Sequence, residues 1–214
     1  MKTIQIPTNS NPFIVNINNN VYQYKAGETA EVPDEVAAAI EDALNLVPKP
    51  KRYLSKMAQL ADGSITEIKE SDLSGIDSVV DYAFYKCINL MSVTIPEGVN
   101  RIGEFAFSSC PILRSVIIPN SVTSIGTSAF HTCTALEGVI IPGSVTSIDD
   151  SAFKKCIGLK RVIVKALTPP DIQGETFFNV PATCSFEVPL ESVEAYKTAE
   201  NWSSIASQII AIKE

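Results

Sequence analysis

Residues 128–148 read SAFHTCTALEGVIIPGSVTSI, and nearly the same pattern stands before and after them. The preceding copy, residues 105–125, reads FAFSSCPILRSVIIPNSVTSI, and the following copy begins SAFKKCIGLKRVIV at residue 151. A fixed period of about 20–50 residues is typical of a solenoid, in which each unit buries its apolar face against its neighbours. Five columns keep a step of 23 residues: Ala83, Ala106, Ala129, Ala152; Phe84, Phe107, Phe130, Phe153; Cys87, Cys110, Cys133, Cys156; Leu90, Leu113, Leu136, Leu159; Val93, Val116, Val139, Val162.

The repeat unit is L-x-x-V-x-I-P-x-x-V-x-x-I-x-x-x-A-F-x-x-C-x-x. Its segment L-x-x-V-x-I ends with apolar residues two apart, which favours a short strand with one buried face. Pro96, Pro119 and Pro142 then end that strand, because proline cannot donate a ladder hydrogen bond. The V-x-x-I segment predicts a second short strand, and A-F-x-x-C predicts a tight turn or a single helical turn. We therefore expect coils of two strands and a corner, stacked in a right-handed spiral.

This unit resembles the BspA-type leucine-rich repeat of bacterial surface and secreted proteins, with its pattern IPxxVxxIGxxAFxxCxxLxxV. The resemblance covers residues 72–165. The tail FEVPLESVEAYKTAENWSSIASQIIAI, residues 186–212, is similar to the closing segment that follows such repeats. The resemblance implies a mostly β fold with short helices, namely a leucine-rich-repeat right-handed solenoid of 23-residue repeats. It also implies a binding or adhesion scaffold rather than an enzyme.

A different segment precedes the repeats. FIVNINNNVYQYKAG, residues 13–27, has two alternating runs around Asn18, Asn19 and Asn20, which predicts a β-hairpin. VPDEVAAAIEDALNLV, residues 32–47, predicts a helix that Asp34 can cap, and PKPKRY then forms a stiff basic linker. We expect a hairpin-plus-helix segment at 1–54, repeats with an N-terminal cap at 55–164, and a C-terminal capping segment at 165–214.

The N-terminal segment is also similar to those of some phage and prophage structural proteins, through F-x-V-x-(I/V)-N…Y-x-Y-x-A-G…V-P-x-x-V-A in residues 12–46. That similarity implies a virion component or receptor-binding role. The stretch MKTIQIPTNSNPF lacks the apolar run of a signal peptide. We therefore expect a virion or extracellular location for a phage-derived protein, and otherwise a cell-surface or cytoplasmic one.

The composition limits the classes of partner that the chain is suited to bind. The chain has 214 residues, a formal charge of −7 and 45% hydrophobic residues. An acidic chain is poorly suited to nucleic acid, which requires clustered Lys and Arg, or to anionic membrane surfaces. No apolar run approaches the roughly 18 residues of a transmembrane helix. The expected partners are a protein or glycan ligand on the solenoid surface and a second copy of the chain.

The five cysteines could form a disulfide framework, a metal site or a core column. Four of them occupy one repeat column, so neighbours stand near a rung spacing of about 4.8 Å, at which a disulfide can form. A linear file cannot surround a metal tetrahedrally, however. We predict a reduced, buried thiol ladder, with Cys184 outside the register, and neither a metal site nor a cofactor.

The residue pattern predicts no catalytic site. His131, the single histidine, shares its column with tyrosine, serine and lysine, which favours an exposed position. Cys133 belongs to the buried column, so its side chain should diverge from His131 rather than form a nucleophile–base pair. Asp149 and Asp150 are adjacent but lack the oxygen-rich loop of a calcium site, which favours a solvated turn.

The outward columns are the candidate partner-binding residues. One column holds Arg114, Glu137 and Lys160, whose charges alternate along the sheet; this alternation can also serve only to fix strand register. A second column holds Ile117, Ile140 and Ile163, which strand alternation should direct away from the core. This row is either a contact surface or a consequence of the β-propensity of isoleucine.

Overall fold

The computed structural model describes residues 2–5, 13–17, 20–24, 29–32, 59–60, 63 and 65–213. Backbone contacts divide the chain into two compact units, residues 1–58 and 59–214. The expected boundaries at 54/55 and 164/165 stay a prediction. The second unit is a solenoid of parallel β-sheets, as the repeat predicted.

The described residues of the first unit form four strands, namely β1 Lys2–Gln5, β2 Phe13–Ile17, β3 Asn20–Tyr24 and β4 Thr29–Val32. Strands β2 and β3 pair antiparallel with Phe13 opposite Tyr24 and Ile17 opposite Asn20. This pairing confirms the predicted hairpin. Strands β1 and β4 form a second antiparallel pair. The helix predicted within residues 32–47 and the linker at 48–53 lie outside the described residues, apart from Val32 in β4.

Two faces of the solenoid are built from short strands. The first face carries β5 Glu67–Ile68, β7 Ser92–Thr94, β9 Ser115–Ile117, β11 Gly138–Ile141, β13 Arg161–Val164, β15 Ser185–Val188 and β16 Ile209–Ala211. The second face carries β6 Ser78–Val79, β8 Arg101–Ile102, β10 Ser124–Ile125, β12 Ser147–Ile148 and β14 Asp171–Ile172. The first face comprises the ladders β5-β7-β9 and β11-β13-β15-β16, and the second is one five-stranded parallel ladder.

The corner segment A-F-x-x-C forms a third hydrogen-bonded face. The backbone N–H groups of Phe84, Phe107 and Phe130 donate to the alanine carbonyls of the next coil, 2.7–2.8 Å away. Flanking N–H groups do the same; for example, that of Lys86 donates to the Ser108 carbonyl at 2.9 Å. Each corner is therefore a series of tight turns, as predicted. Its backbone is also hydrogen-bonded to the corner of the next coil.

The corner requires left-handed backbone at two columns that hold no glycine. Their φ angles lie between 51° and 60° at Tyr82, Phe105, Ser128, Ser151 and at Lys86, Ser109, Thr132, Lys155. Such residues cost on the order of 1–3 kcal/mol each and persist only where the surroundings determine them. Here each N–H at these columns from residue 82 to residue 132 bonds to the following coil, which offsets the cost.

Inside the corner, the phenylalanine column forms a continuous stack. The rings of Phe84, Phe107, Phe130, Phe153 and Phe177 follow one another with centroid distances of 5.2–5.5 Å and interplanar angles of 7–10°. The four rings from Phe84 to Phe153 are completely buried. Buried aromatic rings contribute large apolar areas, and offset stacking adds about 0.5–1.5 kcal/mol per pair. This stack is the core of the corner.

The cysteine column is reduced and buried, as predicted. The structure adds a reason for cysteine at this position. The thiols of Cys110, Cys133 and Cys156 donate to the phenylalanine carbonyl 26 residues earlier, with Sγ–O distances of 3.2, 3.1 and 3.0 Å. The thiol gives these carbonyls a weak hydrogen bond that alanine or valine cannot supply, and at Phe84 and Phe130 it adds to the bond from the backbone N–H of Cys87 or Cys133.

The repeat register continues beyond residue 165 with one extra residue. Ile172 pairs with Ile148, and Phe186 pairs with Val162, each a step of 24 rather than 23 residues. Val180 therefore takes the cysteine column and Cys184 stands outside it, as predicted from the sequence. A 3₁₀ helix at Glu70–Leu73 precedes the second strand of the first coil.

Helices and one strand close the C-terminal end. They are the 3₁₀ helices Leu190–Ser192 and Trp202–Gln208, the α-helix Val193–Thr198, and β16, which pairs with β15. Trp202 and Tyr196 are completely buried, with ring centroids 5.0 Å apart. The Trp202 Nε1 donates to the Pro170 carbonyl and the Tyr196 hydroxyl to the Ala166 carbonyl, both at 2.8 Å. These bonds anchor the closing segment on the longer coil.

One prediction concerns the phenylalanine stack. Replacing Phe130 by Ala should lower the free energy of unfolding by about 3–5 kcal/mol, because a completely buried ring between two others leaves a cavity. Urea unfolding followed by circular dichroism measures this change. The exposed Phe178→Ala is the control and should lie within about 0.5 kcal/mol of wild type. Equal losses for the two variants would contradict a stabilising stack.

A second prediction concerns the thiols and alkaline pH. Burial raises the pKa of Cys110 and Cys133 well above the ordinary value, and that of Cys156 to about 12. The unfolded thiols titrate near pH 8.5–9, so stability is intact below that pH and falls above it by about 1.4 kcal/mol per pH unit for each buried thiol. Urea unfolding with a non-thiol reductant between about pH 8 and 10.5 measures this slope.

Removing one thiol from the ladder tests its contribution directly. Cys133→Ala should reduce the alkaline slope by about 1.4 kcal/mol per pH unit, whatever its stability at neutral pH. Tyrosine and lysine titrate equally in both proteins and cancel in the comparison. Parallel slopes for wild type and variant would show that the Cys133 thiol is not held protonated by the fold.

Candidate functional site

The outward side of the first face carries the predicted isoleucine row. Ile117 in β9 and Ile140 in β11 are 56% and 47% exposed, and Ile163 in β13 is half-buried. Ile140 and Ile163 are direct partners across the β11–β13 ladder. Their chain neighbours Val116, Val139 and Val162 are buried, so alternation places the three isoleucines on the outer surface.

The side chains beside the row are short in two of the three coils. Ser115 and Gly138 lie two residues before Ile117 and Ile140, on the same outward face, and Arg161 takes this position before Ile163. The short neighbours leave the isoleucines standing above the sheet surface. We call Ile117, Ile140 and Ile163, with Ser115 and Gly138, the isoleucine face.

The predicted charged column borders the isoleucine face. The Nζ of Lys160 lies 2.9 Å from a carboxylate oxygen of Glu137, and both side chains are exposed. The hydrogen bond and charge of Lys160, with a smaller contribution from the charge of Arg114, lower the pKa of Glu137 below its ordinary value. The alternating charges therefore interact as predicted, although exposed pairs contribute little to stability.

The column of the isoleucines continues into the closing segment, which the sequence did not predict. Glu187 in β15 pairs with Ile163, and Ile210 in β16 pairs with Glu187. Nε and Nη2 of Arg161 donate to the two carboxylate oxygens of Glu187 at 2.6 and 2.5 Å. This bidentate pair lowers the pKa of Glu187 below its ordinary value. Because Glu187 stands between Ile163 and the exposed Ile210 in the column, it interrupts the apolar row there.

The residues considered for chemistry do not form a nucleophile–base pair. The ring of His131 contacts the Thr132 hydroxyl, 3.0 Å from Nδ1, while the Cys133 thiol donates to the Phe107 carbonyl. Burial lowers the pKa of His131 and raises that of Cys133, which is opposite to an imidazolium–thiolate pair.

The column of His131 is less exposed than its varied composition predicted. His131, Tyr85 and Lys154 are half-buried, and Ser108 is buried. The expectation of an exposed column was therefore wrong. Its side chains adjoin the tightly turned corner, and the hydroxyl of Ser108 donates to the backbone carbonyl of His131.

Asp150 has a structural role at the corner. Its carboxylate accepts hydrogen bonds from the Ser151 hydroxyl at 2.9 Å and the Glu175 N–H at 3.2 Å. Within residues 59–213 as far as they are described, no group of three or more His, Cys, Asp or Glu side chains could hold a metal ion. Among the helices that the structure describes, none has the length and apolar character needed to cross a membrane.

The fold and its surface define a leucine-rich-repeat scaffold with a rigid, partly apolar outer sheet. The model of the BspA type leucine rich repeat region matches residues 60–187 in six copies. The chain therefore belongs to the BspA-type leucine-rich repeat family, as the repeat pattern implied. No curated protein matches the sequence significantly.

Two solved structures are similar to the solenoid. The first is a leucine-rich repeat protein of T. pallidum, with 25% identity, a TM-score of 0.55 and coverage of 68% of each chain. The second is the pneumococcal vaccine antigen PcpA, with 22% identity, a TM-score of 0.53 and coverage of 70% of this chain. The match spans 42% of the pneumococcal chain, and this likeness concerns the fold alone.

A prediction concerns the charged border. Lys160→Met keeps the aliphatic stem but removes the charge, so the lowered pKa of Glu137 should rise toward its ordinary value. A carboxylate-detected NMR titration of both proteins measures the pKa. Lys165→Met is the control, because Lys165 is exposed but is not a partner of Glu137. An unchanged pKa of Glu137 in the Lys160 variant would contradict the interaction.

Proposed function

We propose that the protein is a non-enzymatic binding and structural module whose protein ligand contacts the isoleucine face. The observation that carries this proposal is the pair of exposed isoleucines on neighbouring strands, with Ile117 at the edge of the β5-β7-β9 ladder and Ile140 at the edge of the β11-β13-β15-β16 ladder. A contiguous apolar row on a rigid surface is a typical interface core, and the Glu137–Lys160 pair supplies a polar rim. The isoleucine face is small, so it supports a weak contact or one part of a larger interface.

The β-propensity of isoleucine is the competing explanation of the same row. Isoleucine suits any strand, and neighbours on adjacent rungs shield one another. The exposure favours the contact surface, because shielding leaves about half of Ile117 and Ile140 accessible. Small neighbours at Ser115 and Gly138 add to this accessibility.

We propose two alternative biological roles for the module, one in a virion and one on a bacterial surface. In the first, residues 1–54 attach the scaffold to a phage-type virion, where it acts as a structural or receptor-binding component outside the host. The similarity of residues 12–46 to phage structural proteins supports this version. In the second, the protein is a bacterial surface adhesin or host-interaction protein, which membership of the BspA-type family supports. Capsid and tail genes beside its gene would favour the first version, and cell-envelope genes the second.

The triple variant Ile117→Thr, Ile140→Thr, Ile163→Thr tests the isoleucine face. Threonine suits strands, so the fold should be retained while the apolar contact is lost. Peptides selected on wild type from a display library should bind this variant at least about tenfold more weakly, a loss of about 1.4 kcal/mol. Sedimentation velocity of both proteins measures whether a second copy uses the same face.

A matched control comes from isoleucines elsewhere. Ile88 and Ile157 are 61% and 60% exposed but lie just after the cysteine column, away from the isoleucine face. The variant Ile88→Thr, Ile157→Thr should bind the selected peptides as wild type does. Undiminished peptide binding and unchanged mass in the triple variant would show that the isoleucine face serves the fold and not a ligand.

A further inference from the structure

A second surface feature lies where the last coil meets the closing segment. It is a pocket of about 270 Å³ between the corner of the 24-residue coil and the start of the 3₁₀ helix Trp202–Gln208. Ile172 and Phe177 are the buried residues of its lining, and Phe178 is 50% exposed. The pocket is separate from the isoleucine face, whose residues do not line it.

The polar groups of the pocket are uncharged and have unused hydrogen-bonding capacity. Gln173, Asn179, Asn201 and Ser204 line it, and no charged residue is among the described lining residues. The Asn201 Nδ2 donates to the Ile172 carbonyl at 2.7 Å, which fixes the side chain and leaves its oxygen available. The side-chain amides of Gln173 and Asn179 make no hydrogen bond to other described residues. Each amide can donate and accept, as a hydroxyl group requires.

The aromatic wall of the pocket is held in place. The Phe178 N–H donates to the Glu175 carbonyl at 3.0 Å, and the Phe178 carbonyl accepts from the Lys155 N–H at 2.8 Å. The Nζ of Lys154, which is not a lining group, stands 5.3 Å from the Phe178 ring centroid and pairs with the Glu175 carboxylate. The backbone bonds fix residue 178, and the Lys154 contact favours one orientation of its exposed ring, which reduces the cost of ordering the ring on binding.

We propose that this pocket binds one uncharged sugar ring of a glycan. A sugar ring presents an apolar C–H surface to an aromatic side chain and hydroxyl groups to amides, and the pocket has both partners. Its volume is near the lower end for small-molecule sites, so it holds one ring. Without a charged lining residue, it lacks a partner for a phosphate, a carboxylate or an amine. The site acts independently of the isoleucine face.

Sugar binding to this pocket can be measured by tryptophan fluorescence and by amide chemical shifts. Trp202 is the single tryptophan, adjoins Asn201, and lies 5.8 Å from the Phe177 ring. We expect methyl glucoside, methyl mannoside, methyl galactoside or N-acetylglucosamine, titrated to about 20 mM, to give a saturable change with a dissociation constant near the millimolar range. The amide shifts of Gly174, Asn179 and Asn201 should change with the same constant.

Two variants and one control locate the binding. Phe178→Ala removes the aromatic wall and should weaken binding at least about tenfold. Gln173→Ala removes an exposed amide without affecting the core, so it tests the polar part of the site separately from the aromatic wall. Leu190→Ala, an exposed apolar residue outside the lining, should bind as wild type does.

Several results would overturn the proposal. They are the lack of a saturable change with all four sugars, shifts that map away from the pocket, or wild-type affinity in both pocket variants. Preferential binding of N-acetylneuraminic acid, an anionic sugar, would also overturn it, because the lining offers that carboxylate no charged partner. The sugar titrations do not depend on the isoleucine face. If the isoleucine triple variant binds peptides as wild type does, the proposed function is contradicted but the sugar site is not.

Discussion

The backbone hydrogen bond from one coil to the next is the interaction on which the rest of the solenoid depends. It recurs on both strand faces and at the corner, where the phenylalanine N–H meets the alanine carbonyl of the following coil. Bonds of this kind favour similar path lengths in adjacent coils, so most coils keep the 23-residue step, and the last coil accommodates one extra residue with its strand pairs intact. The 23-residue step also stacks the phenylalanine rings at 5.2–5.3 Å and aligns the cysteine thiols with buried carbonyls.

Side-chain periodicity made the buried columns and the two strands of each coil predictable. The left-handed backbone of the corner was not predictable. A positive φ is usually marked by glycine or asparagine, but these positions hold Tyr82, Phe105 and Lys86. Bonds to the next coil impose that conformation, and they exist only after stacking. The repeat pattern read from the sequence ended near residue 165 because the next step is 24 residues long, although Phe177, 24 residues after Phe153, could have indicated a further coil.

The surface was predictable only where it follows the repeat. Alternation placed Ile117 and Ile140 outward correctly, and the spacing of Glu137 and Lys160 anticipated their ion pair. Glu187 and Ile210 extend the same column, but their pairing depends on how the closing segment docks, which a repeat pattern does not encode. The pocket beside Phe178 likewise requires two segments that are distant in sequence, represented by Gln173 and Asn201.

The longer coil has a consequence for how such proteins change over time. Trp202 and Tyr196 attach the closing segment to carbonyls of that coil and not to any 23-residue unit. Whole units upstream can therefore be duplicated or deleted by recombination while the closing segment keeps all of its partners. One extra residue is tolerated, as the 24-residue coil shows, whereas a large fraction of a unit would shift the strand and corner positions of one coil away from those of the next. Lineages of this protein should differ in length by multiples of 23 residues, so the reach of the scaffold evolves in discrete increments.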